Sequence, residues 1–211
     1  MEKTEKIRKA YIDHVLENGF PPATLFAFAK KLKMAEAELY DFYTSFEAIE
    51  MDLWLGFFEE AKAKVEADET YQGYSVREKI LAFYYTWAEV LKANRSFVMY
   101  AYKKLKKPVS TKKPAEIKPF KDAFYSYAND LLAEGRESNE ILMRPFISKR
   151  YPDALWNNTM YVLDFWTKDR SKGFEKTDTA IEKTVNATID LMGRSVVDSV
   201  FDLAKFAFQN R

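Results

Sequence analysis

Few residues of this 211-residue chain have side chains that could carry out catalysis. His14 is the only histidine, and catalytic or metal-binding histidines need partners at set spacings, which the sequence does not offer. The neighbouring carboxylates at 59–60 and 68–69 lie at the ends of predicted helices, where a solvated surface explains them better than acid–base chemistry. The chain has no cysteine and no glycine-rich phosphate loop. We therefore expect no enzyme, no metal site and no cofactor.

A run of lysines between residues 103 and 113 contains no acidic residue. Such a run could contact an anionic lipid surface or nucleic acid. A solvated loop is the more common meaning, and the stretch 106–115, which contains Pro108 and Pro114, is the clearest linker in the chain. The lysines of this run are Lys103, Lys104, Lys106, Lys107, Lys112 and Lys113.

The overall composition is that of a folded protein without a strong charge bias. Hydrophobic residues make up 47% of the chain and aromatic residues 16%, which is ample material for a buried core. The 33 basic residues nearly cancel the 32 acidic ones, so the net charge of +1 does not indicate any class of partner. The start of the chain is charged rather than apolar, and the apolar runs are too short for a membrane helix. We expect a cytoplasmic protein with no membrane span.

Apolar residues recur at helical rather than alternating spacing, which predicts an all-α fold. Three short N-terminal segments are each too small to bury a face alone, so we expect them to pack on one another. The first ends at Asn18-Gly19, the second opens at Pro21-Pro22 and the third contains Leu39. Later helices are predicted at 45–68, 75–93, 98–105, 117–133, from 139 onward, at 152–168 and at 177–208.

Capping residues support several of these boundaries. Ser75, with Glu78 three residues later, has the pattern of a capping box. Gly135 is expected to stop the helix that begins at 117, and Pro152 suits the first position of the next long helix. The last helix has a sustained apolar seam, which is better suited to another helix than to solvent. The seam consists of Ile181, Val185, Ile189, Met192, Val196, Val200 and Leu203.

The stretch 7–49 resembles the DNA-binding domain of the TetR family. The matching positions are Gly19-Phe20, Thr24, Phe28-Ala29, Met34, Leu39-Tyr40, Phe42-Tyr43 and Ile49. The small core of this unit would be filled by Phe28, Met34, Leu39 and Tyr43. The resemblance implies a helix-turn-helix whose recognition helix, residues 35–42, lies in the major groove of DNA. It also implies that Tyr40 contacts a phosphate.

The charge of the predicted recognition helix and of the residues around it departs from the family pattern. The recognition helix carries Glu36, Glu38 and Asp41, whereas such helices normally present basic or neutral polar groups. Phe26 and Phe46 stand, as exposed residues, where the family often has a basic side chain. Residues 1–50 contain seven Lys or Arg and nine Asp or Glu, a net charge of −2. Because phosphate neutralisation supplies most non-specific affinity for DNA, this charge motivates an alternative in which DNA binding is lost.

Lysines near this helix could still contact the phosphates of the DNA backbone. Lys33 replaces the glycine of the family's turn, and Lys3, Lys6, Arg8 and Lys9 lie in the first helix. Solvated helix surfaces are the competing interpretation of these side chains. The candidate DNA-binding residues are Lys30, Lys31, Lys33, Glu36, Glu38, Tyr40 and Asp41.

The family resemblance also implies a ligand cavity between the helices of the larger, C-terminal part of the chain. Aromatic side chains from separate helices could converge there, apolar for the most part, with phenol hydroxyls that orient a hydrophobic small molecule. An ordinary packed core is the alternative, because aromatic residues at helical spacing are more often core. The candidate ligand-binding residues are Phe83, Tyr84, Trp87, Tyr100, Phe124, Tyr127, Tyr161 and Phe165.

A second resemblance lies at residues 163–177. Asp169, Ser171, Phe174 and Thr177 are similar to the C-terminal segment of TetR-like lipid-binding proteins of ubiquinone biosynthesis. Those proteins keep the fold, do not act as repressors and hold isoprenoid lipids in an apolar pocket. A turn between two helices, capped by Asp169 or Ser171 and closed by Phe174, explains the same residue types.

These observations together predict a TetR-like all-α protein. A three-helix head would occupy residues 1–48, and a ligand-binding and dimerisation domain residues 49–211. The expected homodimer pairs the helices near 153–168 and 178–208 with their two-fold mates in a four-helix bundle. The leading functional hypothesis is a ligand-responsive transcriptional regulator. The alternative is a carrier of lipids or other hydrophobic ligands that keeps the fold without binding DNA.

Overall fold

The computed structural model describes residues 2–106 and 115–193. Over these two ranges the regular structure is helical, and the predicted all-α class is confirmed. The α-helices are α1 (Glu2–Asn18), α2 (Leu25–Lys31), α3 (Glu36–Tyr40), α4 (Phe46–Glu66), α5 (Val76–Ala93), α6 (Arg95–Leu105), α7 (Lys118–Glu137), α8 (Tyr151–Lys168) and α9 (Glu175–Met192).

The chain divides into two compact units. The first comprises residues 1–61 and 89–123, and the second comprises residues 62–88 and 124–211. The three helices of the predicted head belong to the first unit, as do the beginning of α4 and all of α6. The predicted boundary of the head at residue 48 stays a prediction.

The three N-terminal helices pack on one another as predicted. Thr24 caps α2, because its hydroxyl accepts a hydrogen bond from the backbone N–H of Ala27 at 3.1 Å. α2 packs against α3, and α1 packs against α6. The buried hydrophobic side chains of this region are Ile7, Tyr11, Val15, Phe28, Ala29, Leu32, Leu39 and Tyr43. Met34, which was also expected in this core, is only half-buried.

Phe46 is half-buried against two other rings of the first unit, so the expectation that it is exposed was wrong. Its ring stacks on Tyr11 with 5.6 Å between centroids and meets Phe28 edge-on at 5.7 Å. Phe46 is the first residue of α4, and its position places the ring over α1 and α2. Phe26, by contrast, is 61% exposed, as expected.

The predicted start of α5 is confirmed at the level of single hydrogen bonds. The backbone N–H of Ser75 donates to the Glu78 carboxylate at 2.8 Å, and the N–H of Glu78 donates to the Ser75 hydroxyl at 3.3 Å. Glu140 adds a second cap by accepting from the N–H groups of Val76 and Arg77 at 2.8 and 3.0 Å. These contacts satisfy N–H groups that the first turn of a helix leaves without partners.

α7 continues through Gly135 to Glu137, so the predicted stop at Gly135 was wrong. A Cβ atom on Gly135 would lie 2.4 Å from Cγ1 of Ile141. The glycine therefore admits the Ile141 side chain from the following loop and does not end the helix. The helix expected from Asn139 is also not observed, since Asn139 has a φ of 62° and the segment leads into a single 3-10 turn at Ser148–Arg150.

The C-terminal pair of helices, α8 and α9, pack against each other. α8 has Pro152 in its first turn, as predicted. α9 ends at Met192, because Gly193 has an extended backbone with φ −79° and ψ −167°. The buried members of the predicted seam are Ile181, Val185, Ile189 and Met192. The other members, Val196, Val200 and Leu203, lie outside the described residues.

Candidate functional site

The turn between α2 and α3 has the hydrogen-bond pattern of a Schellman motif. The N–H of Lys33 donates to the carbonyl of Lys30, and the N–H of Met34 donates to the carbonyl of Ala29, both at 3.1 Å. Lys33 lies in the left-handed region with a φ of 58°. Glycine is preferred at this position because it has no Cβ to clash. The helix-turn-helix thus forms with a lysine at its most strained position, and the side chain of Lys33 is exposed.

Two of the three acidic side chains around α3 are engaged within the head. Glu38 accepts a hydrogen bond from the ammonium group of Lys3 at 2.8 Å. Glu36 accepts from the hydroxyl of Tyr40 at 3.2 Å, and this hydrogen bond raises the pKa of Tyr40. Tyr40 is exposed, and so is Asp41 at the end of the helix. The phenol is therefore a neutral donor that can turn from Glu36 to another anion.

Basic side chains are grouped in a groove between α1 and the end of α2. The groove has a volume of about 400 Å³. Lys6 donates to the carbonyl of Leu32 at 3.3 Å, and Lys31 lies 3.7 Å from Glu17. Lys30 is exposed outside the groove. The residues that line the groove are Lys6, Lys9, Ala10, Asp13, Lys31, Leu32 and Lys33. Four lysines and one carboxylate, that of Asp13, therefore line the groove.

Five of the eight predicted ligand-binding residues come together in the second unit. The ring of Phe83 lies 5.2 Å from Tyr127, 6.1 Å from Phe124 and 5.5 Å from Tyr84, and it stacks on Trp87 at 6.3 Å. All five side chains are buried. The cavity beside Phe83 has a volume of only about 10 Å³, which is room for one water molecule. Its lining residues are Ile80, Phe83, Tyr84, Phe124, Tyr127, Ala128, Leu131 and Leu155.

The phenol hydroxyls of this cluster already have partners. The Tyr84 hydroxyl donates to the carbonyl of Leu155 at 3.1 Å and lies 3.0 Å from the hydroxyl of Thr159. The hydroxyls of Tyr127 and Tyr71 are 2.9 Å apart. Burial raises the pKa of Tyr84 and of Tyr127, so both phenols are neutral. The cluster is therefore a closed core in which the hydroxyls of Tyr84 and Tyr127 have hydrogen-bond partners.

The other three predicted ligand-binding residues lie elsewhere. Tyr100 belongs to the first unit, where it is half-buried beside Phe97 at 6.3 Å. Tyr161 and Phe165 lie one turn apart on α8, with their rings 6.1 Å apart. These two line an open groove between α8 and α9 with a volume of about 720 Å³. The other lining residues are Asn157, Asn158, Lys176, Thr179, Ala180, Lys183 and Thr184.

A buried carboxylate lies at the centre of the first unit and was not predicted from the sequence. Glu50 on α4 is 1% exposed, and both of its oxygens accept hydrogen bonds from Lys104 on α6, at 2.7 and 2.6 Å. The hydroxyl of Tyr11 on α1 donates to the same carboxylate at 2.5 Å. Glu50 occupies the apolar stripe of α4, next to Ile49 and one turn before Leu53. That position was the available signal of burial, although its partners are distant in the chain.

Asp169 organises the turn between α8 and α9. Its carboxylate accepts from the N–H and hydroxyl of Ser171 at 2.8 and 2.7 Å, and from the N–H and hydroxyl of Thr177 at 2.9 and 2.7 Å. Burial would raise its pKa, but these four hydrogen bonds prevail and hold the pKa of Asp169 at about 2. Phe174, the residue before α9, stacks on Trp166 with 5.8 Å between centroids. Asp169 therefore caps the turn and Phe174 covers it with an aromatic ring, which is the turn between two helices that these residue types indicate.

The fold and the site together define an all-α protein with a helix-turn-helix unit near its N-terminus. A family profile described as the tetracyclin repressor-like C-terminal domain matches residues 79–207, which is more than half of the chain. The chain therefore belongs to the TetR family. A comparison with curated proteins finds no match.

Two further properties concern the described residues only. None of their helices combines the length and the apolar character that crossing a membrane requires. No group of three His, Asp or Glu side chains among residues 2–106 and 115–193 is placed to hold a metal ion.

Proposed function

We propose that this TetR-family protein is a ligand-responsive transcriptional regulator of the cytoplasm that binds DNA as a homodimer. The observation that carries the proposal is the helix-turn-helix of α2 and α3, complete with its N-terminal cap and Schellman turn, in a chain that belongs to this family. In such a regulator, two heads meet successive major grooves, and a ligand that changes their spacing changes their fit to DNA.

The charge distribution of the head supports contacts to the DNA backbone from the groove lysines. Lys31 is the last residue of α2 and Lys33 lies in the turn, and Lys6 and Lys9 lie across the groove from them. Glu38, one of the acids around α3, is paired with Lys3, which offsets part of its repulsion of phosphate. Tyr40 gains a phosphate as hydrogen-bond acceptor when it leaves Glu36.

An electrophoretic mobility shift with the promoter of the protein's own operon tests the DNA-binding part. We expect a shift at low salt that the Tyr40→Ala substitution abolishes. Tyr85→Ala, an exposed tyrosine on α5, is the matched control and should leave the shift unchanged. The absence of a shift on every genomic fragment at low salt contradicts the proposal.

The groove between α8 and α9 is the surface that we propose to be covered in the homodimer. Tyr161 is half exposed, and it lies with Phe165 in a groove that α8 and α9 form together. A paired copy of the two helices would bury this apolar surface in a four-helix bundle. Light scattering after size exclusion should give the mass of a dimer for the wild type and of a monomer for Tyr161→Asp. Asn129→Asp, an exposed position on α7, is the control and should remain dimeric.

The closed aromatic cluster around Phe83 is the place that we propose for the apolar ligand. Because it has room for only one water, ligand binding requires the rings to move apart, as in a cryptic pocket. Native mass spectrometry of freshly purified protein tests this part. Phe124→Ala should enlarge the cavity and increase the fraction of chains that carry an apolar molecule. If neither form ever carries one, the ligand-binding part is wrong.

A second function is favoured by one feature of the head. Glu36 and Glu38 lie on the recognition helix α3 and Asp41 lies at its end, and Phe26 on α2 is 61% exposed. These side chains suit a TetR-fold carrier of hydrophobic ligands that does not bind DNA. A co-purifying isoprenoid or fatty acid together with no DNA affinity favours the carrier, whereas release of bound DNA by the same molecule favours the regulator.

A further inference from the structure

A buried lysine lies beside the aromatic cluster of the second unit. Lys79 on α5 is buried, and its ammonium group donates to the carboxylate of Glu134 on α7 at 2.5 Å. The same ammonium group lies 5.2 Å from the centroid of the Tyr71 ring. An apolar side chain of similar volume is often at least as stable as a buried ion. Stability alone therefore does not explain this lysine.

Two phenols connect the lysine with the cavity of the cluster. The hydroxyls of Tyr71 and Tyr127 are 2.9 Å apart, and Tyr127 lines the cavity beside Phe83, with 5.2 Å between the two ring centroids. Burial raises the pKa of Tyr71, as it does that of Tyr127, so both are neutral phenols that can donate hydrogen bonds. We call Tyr71, Lys79 and Tyr127 the polar end of the cluster.

The carboxylate that now occupies the polar end can move into water. The side chain of Glu134 is 50% exposed, whereas that of Lys79 is 5% exposed. Turning a half-hydrated carboxylate fully into solvent costs little, but the buried ammonium group then needs another anion. The space beside Lys79 already holds a carboxylate, so a ligand can supply the same chemical group there.

A second ion pair borders the polar end from α4. The ammonium group of Lys62 lies 6.0 Å from the centroid of the Tyr127 ring and 3.0 Å from the carboxylate of Glu66. Glu66 is exposed as well, so it can also turn toward solvent. Cations from two helices would then face the phenols, which favours an anionic group between them.

We propose that the ligand of the aromatic cluster is an amphipathic carboxylic acid whose carboxylate takes the place of Glu134 beside Lys79. The hydrocarbon part of the ligand lies among the rings, and a phenol of the polar end donates a further hydrogen bond to the carboxylate. This inference rests on the proposal above that the cluster opens to admit an apolar ligand. A neutral alcohol of the same length gains the contacts with the rings but not the ion pair.

Titrating the full-length protein with decanoic acid and with decanol tests this assignment. The emission of Trp87, which stacks on Phe83, reports binding in the cluster. We expect the acid to bind about tenfold more tightly than the alcohol, because its hydrogen bonds are charge-assisted. Lys79→Met should weaken binding of the acid by about tenfold or more, since a buried carboxylate without a cation is costly, and should leave decanol binding unchanged. Lys92→Met, an exposed lysine on α5, is the control and should change neither affinity.

A second variant keeps the test decisive if Lys79→Met does not fold. Glu134→Gln removes the carboxylate that the ligand must displace, so it should strengthen binding of decanoic acid several-fold and leave decanol binding unchanged. An unchanged or weaker affinity of Glu134→Gln for the acid would contradict the proposal.

The failure of this inference is distinguishable from failure of the proposed function. Equal binding of decanoic acid and decanol to the wild type, or acid binding that folded Lys79→Met does not alter, would overturn the carboxylate site and leave the apolar site intact. Binding of neither probe would overturn both the carboxylate site and the apolar site. These titrations contain no DNA, so an absence of DNA binding bears on the regulator alone.

Discussion

The ammonium group of Lys104 lies 2.6 Å from the carboxylate of Glu50, and the glutamate is almost completely buried. Because Tyr11 donates to the same carboxylate, helices α1, α4 and α6 of the first unit meet at one buried carboxylate. A buried charge is tolerated only while its partners remain in place. We therefore expect a substitution in this cluster to lower the stability of the whole first unit.

Replacing Lys104 with Met should destabilise the protein. Breaking a fully buried ion pair costs about 3–5 kcal/mol, and we expect about 2 kcal/mol here because the Lys104 side chain is 29% exposed and water can reach the site. Urea unfolding measures the change. The double variant Glu50→Gln with Lys104→Met should regain part of the loss, since no charge is left unpaired. Strictly additive losses would contradict the interpretation of Glu50 and Lys104 as a coupled pair.

The strained turn of the head predicts a stabilising substitution. Lys33→Gly should raise the free energy of unfolding by about 0.5–1 kcal/mol, because the left-handed φ of 58° has no steric penalty for glycine. Lys31→Gly, two residues earlier within α2, is the control and should lower it by a similar amount. Thermal unfolding of the two variants should therefore move in opposite directions. A destabilising effect of Lys33→Gly would mean that the lysine side chain stabilises the turn.

Two helical glycines should respond in opposite directions to alanine. Gly56→Ala in α4 should stabilise by about 1 kcal/mol, since its Cβ would meet only the Arg8 guanidinium at an ordinary 3.5 Å. Gly135→Ala in α7 should destabilise by about 1–3 kcal/mol, because its Cβ would overlap Ile141. The double variant Gly135→Ala with Ile141→Ala separates overlap from helix propensity. If Gly135→Ala alone stabilises the protein, Ile141 does not pack closely against position 135.

Asp169 predicts an acid-dependent contribution to stability. Its pKa is about 2 in the folded protein, below the ordinary value of 3.8, so its hydrogen bonds stabilise the fold fully above pH 3.8 and lose this effect as the pH falls through 2. Asp169→Asn should cost about 1–3 kcal/mol at neutral pH, since an amide cannot accept all four hydrogen bonds. The difference between wild type and variant should narrow between pH 4 and pH 2.

The surface pair of Asp164 and Lys168 provides the control for this pH series. Asp164→Asn removes an exposed ion pair one helical turn apart, and such pairs contribute little to stability. Its effect should therefore be small at every pH. If the effect of Asp169→Asn stays constant down to the acid end of the series, ionisation of Asp169 does not stabilise the turn.

The sequence predicted those features that depend on neighbouring residues. The capping box at Ser75 and the early proline of α8 are local hydrogen-bond or steric effects, and both were predicted from spacing. The course of α7 through Gly135 was not predictable, because the reason for the glycine is Ile141 from the following loop. Composition near a glycine does not reveal whether it ends a helix or admits another side chain.

The candidate site was predictable only in part for the same reason. Helical spacing marked Phe83, Trp87 and Phe124 as inward-facing, and they do cluster. Spacing does not say which inward faces meet, so Tyr100 and Tyr161 were grouped with rings that they do not join. Glu50 was missed because an acidic residue on an apolar stripe becomes interpretable only when its partners on other helices are known.

The salt dependence of DNA binding tests the central claim most directly. Fluorescence anisotropy should be recorded with the operon promoter from about 50 to 200 mM salt, where phosphate contacts dominate the change in affinity. We predict binding in which the slope of log K against log salt concentration decreases in magnitude by about one for each of Lys31→Ala and Lys33→Ala, and does not change for Lys149→Ala. Absence of binding at the lowest salt, or a slope that none of the head lysines alters, would contradict it.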